Sequence, residues 1–189
     1  MEHVGRLVLV RHGETEWSRD HKHTSYTDLP LTEVGAEQAR ALGKRLAGHG
    51  FAGVFVSPLR RARQTCELAG FGARAEVMDD LREWNYGRYE GLTTAEIRRS
   101  RPGWTVWKDG PLGGESPEDV GSRADRVIQK TWVDDRDVAL FAHGHMLRVI
   151  AARWIGLAAA GGARLRLATA TVSTLGYERE TRVVLTWNA

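Results

Sequence analysis

The sequence predicts an α/β sandwich built on a mostly parallel sheet, and three observations point there. Short apolar runs at residues 6–10, 53–57 and 137–142 are bounded by turn-forming or polar residues, as buried strands are. Segments with helical spacing separate these runs. Each run also ends in an unusual polar cluster: Arg11-His12-Gly13, Ser57-Pro58-Leu59-Arg60-Arg61, and His143-Gly144-His145. Ligand sites of open α/β sheets form at such carboxyl ends of strands.

The elements follow in order. The polar segment from His12 to Leu31 is too long for a simple connector, a length that marks functional loops. Thr32 is placed to cap a helix over 33–47, in which Val34, Gln38, Ala39, Leu42 and Leu46 carry helical spacing before Gly48 and Gly50 stop it. The second strand leads through Pro58 into a helix reaching about Leu68. Residues 79–91 read as an aromatic loop. Thr93 caps a short helix that Pro102 ends, and 104–114 reads as irregular. Ser116-Pro117-Glu118-Asp119 supplies a cap, a first-turn proline and acids at the positive end of the helix dipole. That helix runs to about Trp132. After the third strand comes a helix over 146–155, closed by Gly156, and then an Ala/Gly-rich loop at 158–163. Segments 171–177 and 182–187 turn near 178–181 and predict a β-hairpin that brings in antiparallel pairing.

A chain of 189 residues without repeats or linkers is expected to form one domain over 1–189. Its 27 Lys and Arg nearly balance 24 Asp and Glu, and the arginines are spread rather than blocked. That argues against a nucleic-acid binder and suits a protein handling small anions. Cys66 stands alone, so no intramolecular disulfide forms, and its helical setting beside Thr65 and Leu68 reads as a buried structural thiol. The N-terminal residues lack the apolar core of a signal peptide, and no apolar run reaches the roughly 18 residues of a membrane span. The expectation is a cytoplasmic protein with no membrane partner.

In a doubly wound sheet the three polar strand ends converge on one crevice. Two Arg and two His there would make a pocket for a dianion, since Arg presents a planar fork of donors matched to phosphate oxygens. The helix start near Arg61 would add backbone donors. A neutral imidazole can act as a nucleophile in phosphoryl transfer. The leaving alkoxide needs an acid, and Glu83 in the 79–91 loop is placed to supply one, with Leu81, Trp84 and Tyr86 taking it partly out of water. Blander readings exist for each piece. An Arg-His pair at a strand end can be a surface loop, Arg60, Arg61 and Arg63 a solvated helix face, and Glu83 a surface carboxylate. His143 with His145, or His21 with His23, would suit a metal, but no Cys or acid cluster at ligand spacing accompanies either pair, so no metal is expected. The aromatic set Trp84, Tyr86, Tyr89, Trp104 and Trp107 fits core and rim packing.

Taken in order, these residues resemble the histidine phosphatases, or phosphoglycerate-mutase-like superfamily. The resemblance runs from Leu7 to about Gly156. It rests on Leu-Val-Arg-His-Gly-Glu-Thr at 9–15, Ser-Pro-Leu-x-Arg-Ala-x-x-Thr at 57–65, Glu-x-x-Tyr-Gly at 83–87 and Ala-His-Gly at 142–144. It implies a three-layer α/β/α sandwich, phosphoglycerate mutase-like, with the site at the strand ends. It implies further that His12 is the nucleophile that becomes phosphorylated, that Arg11, Arg61 and His143 hold phosphoryl oxygens, and that Glu83 protonates the leaving group and then activates water. No metal or other cofactor is implied.

Two positions depart from the family pattern. Ser18 stands where the family often has Asn, and reaches less far. Thr24-Ser25 stands where mutases commonly read Thr-Gly, and the extra side chain would reshape the mouth. Ser18, Thr24, Ser25, Gly144 and His145 complete the expected substrate-binding set. His145 would hydrogen-bond substrate or, once protonated, attract a second anionic group. Trp17, Tyr26, Trp84, Trp104 and His145 would shape the walls, and Lys108 and Arg148 would read a second phosphate or carboxylate.

The segment between Tyr86 and Ser116 makes only a short excursion, whereas mutases of the family carry longer covering segments. An open pocket admits water and favours hydrolysis. The runs at 81–91 and 143–148 look most like the small acid phosphatases and sugar-bisphosphatase-like enzymes. The expected function is therefore a metal-independent phosphomonoesterase that acts on small phosphorylated metabolites, releases inorganic phosphate and works best on the acid side of neutral. The alternatives are a cofactor-dependent phosphoglycerate mutase, a protein phosphohistidine phosphatase, against which Glu83 argues, and a non-catalytic phosphate-binding regulatory protein, against which the complete set of five catalytic positions argues. An exposed edge of the C-terminal hairpin would be the place for a homodimer.

Overall fold

A computed structural model describes residues 5–133 and 135–189. Residues 1–4, part of the segment read above as lacking a leader, and Asp134 lie outside the described residues. In chain order the elements are β1 (Leu7–Arg11), α1 (Glu16–Arg19), α2 (Glu33–Leu46), β2 (Gly53–Val56), α3 (Arg60–Leu68), β3 (Ala75–Val77), α4 (Thr94–Ser100), α5 (Val106–Asp109), α6 (Pro117–Thr131), β4 (Val138–Ala142), α7 (Gly144–Trp154), β5 (Val172–Glu178) and β6 (Thr181–Thr186). The sheet order is β3-β2-β4-β1-β5-β6. The first four strands in that order are parallel, and β5 and β6 add antiparallel pairing.

The apolar runs at β1 and β4 are continuous because both faces of these strands are covered. Alternation sends Val8, Val10, Ala139 and Phe141 into one core with Leu42 and Leu46 of α2 and Ala62 and Cys66 of α3. Leu7, Leu9, Val138, Leu140 and Ala142 enter the other, against Val120, Ala124 and Val127 of α6 and Leu147, Ile150 and Ala151 of α7. The result is the expected three-layer α/β/α sandwich. Cys66 is buried, and burial pushes its thiol up to about 12, as a structural thiol requires.

Caps bound the helices as their sequences predict. Thr32 accepts from Gly35 N–H at 3.0 Å, and Ser116 and Asp119 form a reciprocal capping box with Pro117 at the first turn. Three elements differ from expectation. The 104–114 stretch contains α5, capped by Thr105; the polar segment after His12 contains α1; and β3 appears as a three-residue edge strand. The path of the chain matters for the site. β1 connects through α2 to β2 beyond β4, and β4 connects through α7 to β5 beyond β1. Two adjacent strands with connections leaving on opposite sides make a crevice at their carboxyl ends.

Candidate active site

Backbone register assembles the centre before any side chain is considered. Arg11 pairs with Ala142 in the β1–β4 ladder, and His12 N–H donates to Ala142 O at 3.0 Å. His12 and His143 therefore leave neighbouring strands side by side, with ring centroids 5.2 Å apart. On the other flank of β4, Val56 pairs with Phe141, which brings Ser57 Oγ to 2.7 Å from His143 Nε2. The chain then turns into α3, whose first turn carries Arg61. Two glycines permit these approaches. A Cβ on Gly13 would lie 2.4 Å from Gly35 O of α2, and one on Gly144 would lie 3.2 Å from the Arg11 guanidinium.

Hydrogen bonds and burial assign the protonation states. His12 is 5% exposed, and its Nδ1 lies 2.7 Å from Gly13 O. Nδ1 therefore carries the hydrogen and Nε2 keeps its lone pair. Burial first, then the Arg61 and Arg11 charges, hold the His12 pKa well below 6.5. His143 is fully buried and held neutral by burial and then by Arg61. His143 Nε2 lies 2.7 Å from Ser57 Oγ, and we take the tautomer in which the Ser57 hydroxyl donates to Nε2. His143 Nδ1 is then an N–H donor.

Among the described residues, the buried side-chain atoms without a partner are Arg11 Nε, Arg61 Nε and His143 Nδ1. More than about nine-tenths of buried polar atoms in proteins are bonded, so three N–H donors orphaned in one site mark a pocket built for an anion. The rest of each guanidinium is held. Arg11 Nη1 donates to Leu167 O at 2.5 Å. Arg61 Nη1 donates to Thr27 O, and its Nη2 donates to Thr24 O and Ser25 O. Glu90 holds that loop by accepting from Ser25 N–H, the Ser25 hydroxyl and Thr27 N–H. Burial lowers the pKa of both arginines, and the Glu83 charge opposes it.

Glu83 reaches across to the start of α7. Its Oε1 accepts from Trp84 N–H at 3.0 Å and Met146 N–H at 2.9 Å, and its Oε2 accepts from His145 N–H at 3.0 Å. The cap residue His143 offers α7 no side-chain bond, so the remote carboxylate does the capping.

A cavity of about 240 Å³ opens here, and Arg11, His12, Ser18, Thr24, Glu83, Gly144 and His145 line it. Ser25, Arg61 and His143 are buried outside that lining. The Ser25 hydroxyl is given to Glu90, and Ser18 forms a capping box with Thr15 at α1. His145 Nδ1 lies 2.5 Å from the Tyr86 hydroxyl, and burial, then Arg148, holds its pKa well below 6.5. This corrects the expectation that protonated His145 would attract a second anion; the ring stays neutral.

Of the residues expected to shape the walls, only His145 lines the cavity. Trp84 and Trp104 lie in the core and Tyr26 is 62% exposed. Arg148 lines the cavity whereas Lys108 lies on a separate groove. Of the backbone donors expected at the start of α3, Arg60 N–H is taken by Asp28 and Ala62 N–H by Leu59 O. Sequence reasoning missed Ser57, Tyr86 and Glu90 as partners of the expected residues. Ser57, inside the 57–65 run, and Tyr86, inside the 83–87 run, carried local signals. Among the described residues no group of three or more His, Cys, Asp or Glu is placed to hold a metal ion, and no helix is long and apolar enough to cross a membrane.

The sequence model of the histidine phosphatase superfamily (branch 1) matches residues 7–189. An acid phosphatase from Mycobacterium tuberculosis is 41% identical over 94% of this chain and 89% of its own. A sedoheptulose 1,7-bisphosphatase from Saccharomyces cerevisiae is 40% identical over 80% of this chain and 68% of its own. A solved structure from Mycobacterium tuberculosis superposes with a TM-score of 0.93 at 39% identity, covering 97% of both chains. The chain belongs to the histidine phosphatase superfamily, as a phosphoric monoester hydrolase, and a mutase is the weaker reading.

Proposed function

We propose that this enzyme hydrolyses small phosphorylated metabolites through a phosphoryl group carried on His12, without a metal ion. The observation that supports this most is a neutral imidazole with a free Nε2 lone pair set among three unpartnered N–H donors. His12 Nε2 attacks phosphorus. The N–P bond forms as the ester P–O bond breaks, and the electron pair of that bond stays on the leaving oxygen. Arg11, Arg61 and His143 hold the non-bridging oxygens and offset their charge. Glu83 gives the leaving oxygen its proton. Since Oε1 already accepts two N–H groups and Oε2 only one, the proton rides on Oε2. Glu83 then takes a proton from water, the water oxygen attacks phosphorus, and the N–P bond breaks. Neutral His12 and inorganic phosphate result.

The substrate is expected to carry a second anionic group. Arg148 donates to Gly162 O and Ala163 O and stacks 4.3 Å above the Trp107 ring, and burial lowers its pKa to about 10. Lys22 also lines the cavity. The yeast relative is named for a bisphosphate, which fits the same chemistry. The proposal includes a cytoplasmic setting, which fractionation checks, and a homodimer through the open β6 edge, which sedimentation checks.

Rapid-quench labelling with a substrate labelled on phosphorus tests the intermediate. Acid-labile label on the native chain, and neither label nor turnover in His12→Ala, is expected. A fully active His12→Ala variant would overturn the mechanism, and strong loss of activity in chelator would overturn metal independence.

A further inference from the structure

We infer that Arg123 and Glu115 are positioning residues for the general acid, holding the loop that carries Glu83 at the height the leaving group needs. The inference rests on the reading of Glu83 as the acid. Arg123 lies on α6, away from the cavity lining, and is 8% exposed. Its guanidinium has five N–H donors, and the surrounding oxygens match them. Nε and Nη2 form a fork to the two oxygens of Glu115 at 2.9 and 2.8 Å. Nη1 donates to Asp80 O at 2.9 Å and Arg82 O at 2.5 Å, and Nη2 also reaches Glu83 O at 3.4 Å.

One side chain thus reads three carbonyls of the acid-bearing loop. Glu115 closes the clamp from the other side. Its Oε2 accepts from Asn85 N–H at 2.8 Å, its carbonyl accepts from Trp84 Nε1 at 2.8 Å, and its N–H donates to Asn85 O at 3.0 Å. Every residue from Arg82 to Asn85 is therefore tied to this ion pair, and Glu83 sits in the middle of them. A fork between a guanidinium and a carboxylate fixes direction as well as distance. Three N–H groups hold the Glu83 carboxyl itself, and the clamp fixes the backbone from which it reaches them, so that the geometry of proton transfer is kept.

The step concerned is the transfer of the Glu83 proton to the ester oxygen while the P–O bond breaks. It matters for an alkoxide leaving group and hardly at all for a p-nitrophenolate, which departs without a proton. The test compares kcat/KM for an alkyl phosphate (glycerol phosphate) and for p-nitrophenyl phosphate in the full-length enzyme and in Arg123→Lys, Glu115→Gln and Glu83→Gln. Lys keeps the charge but cannot form the fork, and Glu115→Gln is a milder second route should the first variant not fold. Both clamp variants are expected to lower the alkyl-to-aryl ratio by about tenfold or more, part of the roughly 10²–10⁴-fold that general acid catalysis supplies. Glu83→Gln should lower it further. If Glu83→Gln lowers the ratio and folded clamp variants leave it unchanged, the clamp inference is overturned. A flat ratio in Glu83→Gln instead overturns the acid reading and the clamp with it. A purely structural role would lower both substrates alike and is likewise a refutation.

Discussion

Replacing His23 with Gln should remove about 2.5 kcal/mol from the loss of folding stability between about pH 7 and about pH 4.5. His23 is 9% exposed, packs 4.7 Å from the Tyr86 ring and 5.6 Å from Trp104, and has its Nε2 3.3 Å from the Thr94 hydroxyl. Burial lowers its pKa to about 4, with the Glu90 charge opposing. In the unfolded chain the imidazole titrates near 6.5. Between those values the unfolded chain binds a proton that the folded chain refuses. The contribution is therefore fully present above about pH 6.5 and is lost as pH falls toward about 4. At about 1.36 kcal/mol per unit, the gap amounts to about 2.5 kcal/mol at about pH 4.5. Urea unfolding of both proteins at the two pH values measures it. His12, His143 and His145 are also held neutral, but they remain in both proteins and cancel in the comparison. Equal losses of stability in the native chain and His23→Gln would refute the assignment of a buried neutral His23.

Arg61→Met should lower kcat/KM by about 10²–10³-fold. It should also move the acid limb of the pH–rate profile upward, because after burial Arg61 is the largest influence depressing His12; an unmoved limb counts against that origin. Ser57→Ala strips His143 Nε2 of its partner and should cost about 1–3 kcal/mol of stability, read as a lower melting temperature. Glu90→Gln replaces an acceptor oxygen with a donor facing Ser25 and Thr27 N–H groups. Inhibition by inorganic phosphate should then weaken about tenfold, and an unchanged inhibition constant would show that the 24–27 loop holds Arg61 without it.

The fold was legible where burial is two-sided. β1 and β4 are apolar at every interior position because helices cover both faces, and the capped helices α2 and α6 carry their start signals in four residues each. β3 escaped because Ala75-Glu76-Val77 is a three-residue edge strand, half-buried at best. α1 escaped for a similar reason: it buries none of its residues and exists through the Thr15–Ser18 box. In the site, His12, Arg11 and His143 were legible because they stand at the ends of readable strands. Their supports were not. Glu90 meets Ser25 across 65 positions and Ser57 meets His143 across 86, and separations of that size are set by topology rather than by local pattern.

On the proposed mechanism, side chains supply charge to meet a phosphoryl dianion, and this links its binding to the proton on Glu83. At the start of α3, Asp28 accepts from Arg60 N–H and Leu59 O from Ala62 N–H, and at the start of α7 Glu83 accepts from His145 N–H and Met146 N–H. Among the described residues, the buried side-chain donors without a partner are Arg11 Nε, Arg61 Nε and His143 Nδ1. Ionised Glu83 is the main charge opposing the burial of both guanidinia, so it also competes with an incoming dianion for them. In that mechanism, protonated Glu83 no longer competes and carries the proton the leaving group needs. In that mechanism, anion binding and acid catalysis depend on the same proton. His12 does not cancel the gain, because burial and the same two guanidinia keep it neutral well below 6.5. Acid also acts on the fold, where buried imidazoles such as His23 make it progressively costly to stability.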